Sequence, residues 1–127
     1  MGQILLQLFL GLLTGASAGG SDAVYRGGEN NIAVFSIDPG TGEPTLIQHA
    51  DPQSFHVRTF SVDPSGKMMV AASIVAMNMS IDGEVRHMPA GLTVFRIEDD
   101  GRLTSVRKYN VDVGGKLQWW TGFVGLV

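Results

Sequence analysis

FHVRTFSVDPSGKMMVAAS, the stretch from Phe55 to Ser73, decides how the rest of the chain is read. Two short apolar runs, His56 to Val62 and Lys67 to Ser73, flank Asp63-Pro64-Ser65-Gly66, where Pro presets φ for a turn and Gly supplies a left-handed exit. Two β-rich runs around such a cluster predict a β-hairpin. Side chains alternate along a strand, so His56, Arg58, Phe60 and Val62 are expected on one side and Val57, Thr59 and Ser61 on the other. The same side would then anchor Phe60 and Val62 in a core and bring His56 and Arg58 to the strand entrance, where a cleft or channel can use them.

Working outward, the whole chain punctuates itself in this way. Ile32 to Ile37 is a β-branched and aromatic run that ends in the turn cluster Asp38-Pro39-Gly40-Thr41-Gly42, and Pro44 to His49 reads as the returning strand. Val24-Tyr25 reads as the end of an earlier strand before the polar bend from Arg26 to Asn31. After Ser73 the rhythm breaks over Ile74 to Ala90, which predicts a loop or a small extra hairpin around Asp82-Gly83. Leu92 to Ile97, the turn Glu98 to Gly101 and Arg102 to Tyr109 restore it. The segment from Val111 to Val124, with Trp119-Trp120, predicts one more strand. No apolar spacing of three and four marks a helix beyond the first residues.

Composition fits this reading. The chain has 127 residues, about one domain's worth, with 44% hydrophobic residues, 17 glycines and only 17% charged residues, a balance that favours many short strands and turns. The net charge of −3 comes without a basic patch, which speaks against a nucleic-acid partner. Cysteine is absent, which rules out disulfides and thiolate metal sites and leaves the redox compartment open.

Residues 1–20 stand apart as an apolar leader, with residues 21–127 as the folding unit. Ile4 to Leu13 is too short for a stable membrane span, but it has the length of a signal-peptide core and is followed by Ala16-Ser17-Ala18, a small-residue cleavage pattern. No Lys or Arg precedes it, so the leader reads equally as a buried segment or an artificial start. The compartment follows that choice: cytoplasmic, or secreted or periplasmic where the leader works as a signal.

An internal repeat carries the fold class. Ile32-Ala-Val-Phe-Ser-Ile-Asp aligns with Leu92-Thr-Val-Phe-Arg-Ile-Glu sixty positions later, and Gly42-Glu-Pro-Thr-Leu-Ile aligns with Gly101-Arg-Leu-Thr-Ser-Val at fifty-nine. With Ile74 to Ala90 counted as an insertion, the period is about 43, the length of a four-stranded propeller blade. The expected fold is therefore all-β, a partial β-propeller of about two blades of antiparallel meander strands.

The motifs at 34–42, 60–67 and 94–104, VFSIDPGTG, FSVDPSGK and VFRIEDDGRLT, resemble those of the lactonase family of seven-bladed β-propellers, which includes 6-phosphogluconolactonases and carboxymuconate cyclising enzymes. The resemblance covers roughly residues 22–127 and corresponds to the C-terminal third of a family member. It implies a hydrolase that opens a sugar lactone without metal or other cofactor, using Arg, His and acidic side chains at the mouth of a central channel. The family's Asn-Arg-Gly-x-Asn bend looks like Tyr25 to Asn31 and points to Arg26, although Tyr stands for Asn and one glycine is extra. Its Thr-Pro-Arg-x-Phe strand entry looks like His56 to Phe60 and points to Arg58.

Lactone hydrolysis needs an activated water and positive charge facing the developing oxyanion. The candidates are Arg58 and Arg26 for the anion and His56 or Glu29 as base. Each has a plainer reading: an ion pair with Asp63 for Arg58, a solvated bend for Arg26, a structural histidine for His56 and turn chemistry for Glu29. His49, His56 and His87 lack the spacing of a metal site. Gly40-Thr41-Gly42 is a hairpin turn and not a phosphate loop, since no helix follows. Asn78-Met79-Ser80 fits the glycosylation sequon, a pattern that is common by chance.

The partners expected are a small-molecule lactone and, through open blade edges, other copies of the chain. A catalytically incomplete fragment and a non-catalytic binding or assembly module are both compatible with these residues.

Overall fold

The computed structural model describes residues 3–10, 24–26 and 29–126, with side chains from residue 24 onward. Ten strands form three sheets, and no helix occurs among the described residues. No described helix is long and apolar enough to cross a membrane.

The hairpin expected around Asp63 is β5 (Val57–Val62) and β6 (Met68–Ser73). With β9 (Gly91–Ile97) and β10 (Leu103–Asn110) it makes a four-stranded antiparallel sheet in the order β10-β9-β6-β5, the meander of one complete blade. Before it, β3 (Asn30–Ile37) and β4 (Pro44–Ala50) form the outer half of a preceding blade, with β1 (Gln3–Leu10) antiparallel on the other side of β3. The architecture is the partial propeller that the repeat predicts.

Each hairpin is closed by an acidic turn. Asp38 Oδ1 accepts from the backbone N–H groups of Gly40 and Thr41, both at 2.8 Å. Asp63 Oδ1 accepts from Lys67 at 3.0 Å and Met68 at 2.8 Å, and Asp100 Oδ1 accepts from Arg102 at 3.0 Å. The glycine that follows takes φ of 75° at Gly42, 71° at Gly66 and 87° at Gly101, a region open to glycine at no steric cost. Sequence chose these turns locally, because carboxylate and glycine lie within a few residues of each other.

The core lies between the two sheets. Ile32, Val34 and Ala50 from β3 and β4 meet Val57, Met69, Ala71, Phe95 and Leu103 from the full blade, with Ile47, Phe60 and Ile97 packed against them. Polar bonds stitch the same interface. Gln48 donates from Nε2 to the Leu103 carbonyl at 2.9 Å and accepts from the Leu103 N–H at 2.7 Å. Buried Thr93 donates to the Pro52 carbonyl at 2.6 Å, which fixes the loop that leads into β5.

The break in rhythm is an insert: β7 (Met77–Ile81) and β8 (Glu84–Met88), joined by Asp82-Gly83 with φ of 52° and 82°, as a two-residue hairpin turn requires. β2 (Val24–Tyr25) pairs with β7 in parallel, so the chain is not antiparallel throughout. Gly91, where β9 begins after this insert, has no room for a side chain: a Cβ there would stand 2.6 Å from the Tyr109 carbonyl oxygen.

Two expectations need correction. His56 lies outside β5, and the alternation from His56 to Val62 is broken, because Val57 pairs with Ser73 while Thr59 pairs with Ala72, leaving Arg58 as the extra residue of a β-bulge. Val57 and Phe60 therefore both reach the core, while Val62 is exposed. The residues after Val111 do not form a strand. Past a turn at Gly114 and Gly115, both with positive φ, this tail crosses to the inner strands. There Gln118 donates from N to the Ile74 carbonyl at 2.9 Å and from Nε2 to the Ser73 carbonyl at 2.6 Å, and the Thr121 N–H donates to Thr59 Oγ1 at 3.4 Å.

Candidate functional site

The entrance to β5 collects side chains from four parts of the chain. Residues 53–56 approach it through a bent loop in which Gln53 has φ of 54° and His56 φ of 61°. Left-handed conformations are uncommon for residues other than glycine, with histidine among the more tolerant. The His56 carbonyl accepts from the Ile74 N–H at 3.2 Å, which holds this conformation against the end of β6.

Arg58 follows two residues later on the bulge. A bulge re-aims one side chain, and here it turns Arg58 out of the sheet's alternation. Its guanidinium stands 5.7 Å from the centroid of the Trp119 ring, so the tail provides an aromatic face for the cation. Asp63, the carboxylate expected to pair with it, is instead taken up by the backbone of its own turn. Among the described residues Arg58 forms no ion pair, and it is exposed.

His56 is half-buried beside this cation. Desolvation, and then the positive charge of Arg58, hold its pKa below the ordinary 6.5, so the neutral imidazole is favoured. A neutral imidazole next to an unpaired guanidinium is a proton acceptor beside an anion partner. That pairing is the chemical content of the site.

Arg26 and Glu29 occupy the neighbouring bend. Tyr25 is buried by its pairing along β7, and its ring lies 6.2 Å from that of Phe55 at a tilt of 51°. Burial pushes the Tyr25 hydroxyl pKa up. From the other end of the bend, Asn30 Nδ2 donates to the Ser54 carbonyl at 2.9 Å. These two contacts clamp the bend onto the loop that carries His56. Arg26 and Glu29 themselves are exposed, and among the described residues neither bonds to His56 or Arg58. Glu29 accepts from Asn31 Nδ2 at 2.8 Å, and Asn31 Oδ1 lies 3.0 Å from His49 Nδ1.

The structure thus brings His56 and Arg58 together and sets Arg26 and Glu29 on an adjacent, tethered bend. Sequence reasoning missed the supports: Trp119 beneath Arg58, the Tyr25–Phe55 contact and the Asn30–Ser54 bond. Phe55 and Tyr25 stand as aromatics at the edges of two predicted elements, a signal that could have marked them. Trp119 reads with Trp120 as part of a final strand, and nothing local ties it to Arg58. Among the described residues no group of three or more His, Cys, Asp or Glu is placed to hold a metal ion.

The class defined by this architecture is a partial β-propeller, with candidate chemistry at the start of an innermost strand. Comparison with known proteins finds similarity over part of the chain. Residues 22–81, a span that contains all four candidates, match the family described as Lactonase, 7-bladed beta-propeller. Over 72 residues the chain is 32% identical to a 6-phosphogluconolactonase of Formosa agariphila. That alignment takes in 52% of this chain and 20% of the relative, so it spans about a fifth of the relative's length. No solved structure matches the chain.

Proposed function

We propose that this chain supplies one wall of a lactone-hydrolysing site, in which Arg58 binds the anionic group or developing oxyanion of a sugar lactone and His56 accepts the proton of the attacking water. The observation that carries the reading is the juxtaposition of an unpaired Arg58, turned out by a bulge, with a half-buried His56 whose neutral form is favoured. In the step envisaged, water attacks the lactone carbonyl carbon and loses its proton to His56. Arg58 faces the negative charge of the tetrahedral intermediate, and as the ring C–O bond breaks His56 returns its proton to the leaving ring oxygen, which gives the hydroxy acid. Arg26 stands one bend away as a second positive charge, and Glu29 as a second base.

The similarity to a 6-phosphogluconolactonase favours a phosphorylated six-carbon sugar lactone as the substrate. Turnover by the isolated monomer is expected to be little or none, because one full blade and part of another would supply only part of a channel wall. Binding is therefore the more direct test. Titrating the chain with 6-phosphogluconate, the stable product of that lactone, should shift the ring resonances of His56 and the side-chain resonances of Arg58, and Arg58→Ala should weaken binding at least tenfold. Shifts confined to other regions, or an unchanged affinity in Arg58→Ala, would remove the proposal.

A further inference from the structure

The tail covers the β5 and β6 part of the four-stranded sheet's second face, where Thr59, Val70 and Ala72 are buried. We propose that the outer part of this face, presented by β9 and β10, is a docking surface for a second copy of this chain, which seats the far face of its own β3–β4 hairpin there, head to tail. The inference comes from comparing equivalent positions in the internal repeat. Within the chain, the interface between the half blade and the full blade uses Ile32, Val34 and Ile47 on one side. On the other side it uses Phe95, Ile97 and Leu103.

The repeat carries Ile32, Val34 and Ile47 onto Leu92, Val94 and Val106. The correspondence extends to the backbone. Ile47 is the extra residue between Gln48, opposite Val34, and Leu46, opposite Phe35; Val106 is the extra residue between Arg107, opposite Val94, and Ser105, opposite Phe95. A shared bulge at the same register means that both hairpins present the same surface in the same shape. In the first hairpin that surface is buried or half-buried. In the second, Leu92 and Val94 are only half-buried and Val106 is 60% exposed.

The complementary surface is present as well. Phe35 and Ile37 are the counterparts of Phe95 and Ile97, and they face away from the internal core because neighbours along a strand point to opposite faces. Leu46, opposite Phe35, is 45% exposed. One copy thus offers the front that a second copy's back can cover, and the contact continues the interface already formed inside the chain. Such a contact is heterologous, so it uses two different surfaces and propagates from copy to copy.

Val106→Asp spoils the front alone and Leu46→Asp the back alone, and both positions are exposed enough to leave the fold intact, which circular dichroism verifies. Size-exclusion chromatography with light scattering should show the parent chain as an assembly larger than the monomer and each variant as a monomer. An equimolar mixture of the two variants should form a one-to-one dimer, since each contributes the surface the other has lost. If either variant loses its β signal, Val106→Lys and Leu46→Lys replace it. A monomeric parent, an assembly that survives either substitution, or a mixture that stays monomeric would overturn the proposal.

Discussion

The hairpins β3–β4 and β9–β10 are written to the same apolar pattern, yet they live in different environments. Ile32 and Val34 are fully buried, whereas their counterparts Leu92 and Val94 are not. Gln48 clamps the backbone of Leu103 with two hydrogen bonds, whereas its counterpart Arg107 lies 5.8 Å from the Tyr109 ring on the surface. The difference teaches that the repeat specifies the strand and its bulge, while burial depends on whether a neighbouring sheet is present to cover it. A blade encodes half of each interface, and its neighbour supplies the other half.

The largest effect expected from this contrast is at the paired apolar positions. Ile32→Ala should cost about 2–5 kcal/mol, because a fully buried methyl-rich side chain leaves a cavity that relaxes only partly. Leu92→Ala should cost roughly 1 kcal/mol in the dilute monomer, the ordinary cost of a half-buried change. Urea unfolding of both variants measures the gap, and equal costs would break the comparison. Repeating the measurement at rising protein concentration sharpens it, since the cost at Leu92 should grow if that face becomes covered.

A smaller difference is expected at the polar pair. Gln48→Ala removes both bonds to Leu103 and should cost about 1–2 kcal/mol, whereas Arg107→Ala should stay within about 0.5 kcal/mol of the parent. The same unfolding experiment reads both values. A silent Gln48→Ala would show that the two sheets hold together by apolar contact alone.

The smallest effects are those of pH, and they separate turns from site. Hydrogen bonds from backbone N–H groups lower the pKa of Asp38 and Asp100 below the unfolded value of 3.8. At Asp63 the Ser65 hydroxyl is the first cause of a lowering from 3.8, and at Glu98 the Thr104 hydroxyl is the first cause of a lowering from 4.5. A depressed carboxylate stabilises the fold fully above its unfolded pKa and loses that contribution as pH falls through the folded one. Unfolding midpoints should therefore drop as pH falls below about 4, and Asp38→Asn should flatten part of that drop. His56 follows the same sign from a higher starting point. Its contribution is present above 6.5 and is lost as pH falls through its lower folded value. His56→Asn should remove that upper portion and leave the acidic one; an unchanged profile would show that His56 is not desolvated as described.

How much of this was legible depends on distance along the chain. The turns at Asp38, Asp63 and Asp100 could be read because the carboxylate, the N–H groups it binds and the glycine that follows are all local. So could the extra hairpin around Asp82-Gly83 and the blade period. His56 and Arg58 were found as candidates, but on the wrong geometry, since nothing in HVRTF announces a bulge. The tail was read as a strand from its apolar residues. Its actual course depends on carbonyls of Ser73, Ile74 and Gly91 that accept from Gln118, and these become neighbours only after the sheet has formed.

By itself, then, the sequence determined where strands begin and turn, that one blade pattern occurs twice, and which side chains carry charge at the entrance to β5. The tertiary structure alone decided that Arg58 leaves the alternation and meets Trp119, that Tyr25 anchors the neighbouring bend through Phe55, and that Ile32 is buried where Leu92 is not. The reason is physical. Alternation and turn formation are settled by residues a few positions apart, whereas burial, cation–aromatic contact and a desolvated imidazole each require surfaces that the chain brings together from a distance.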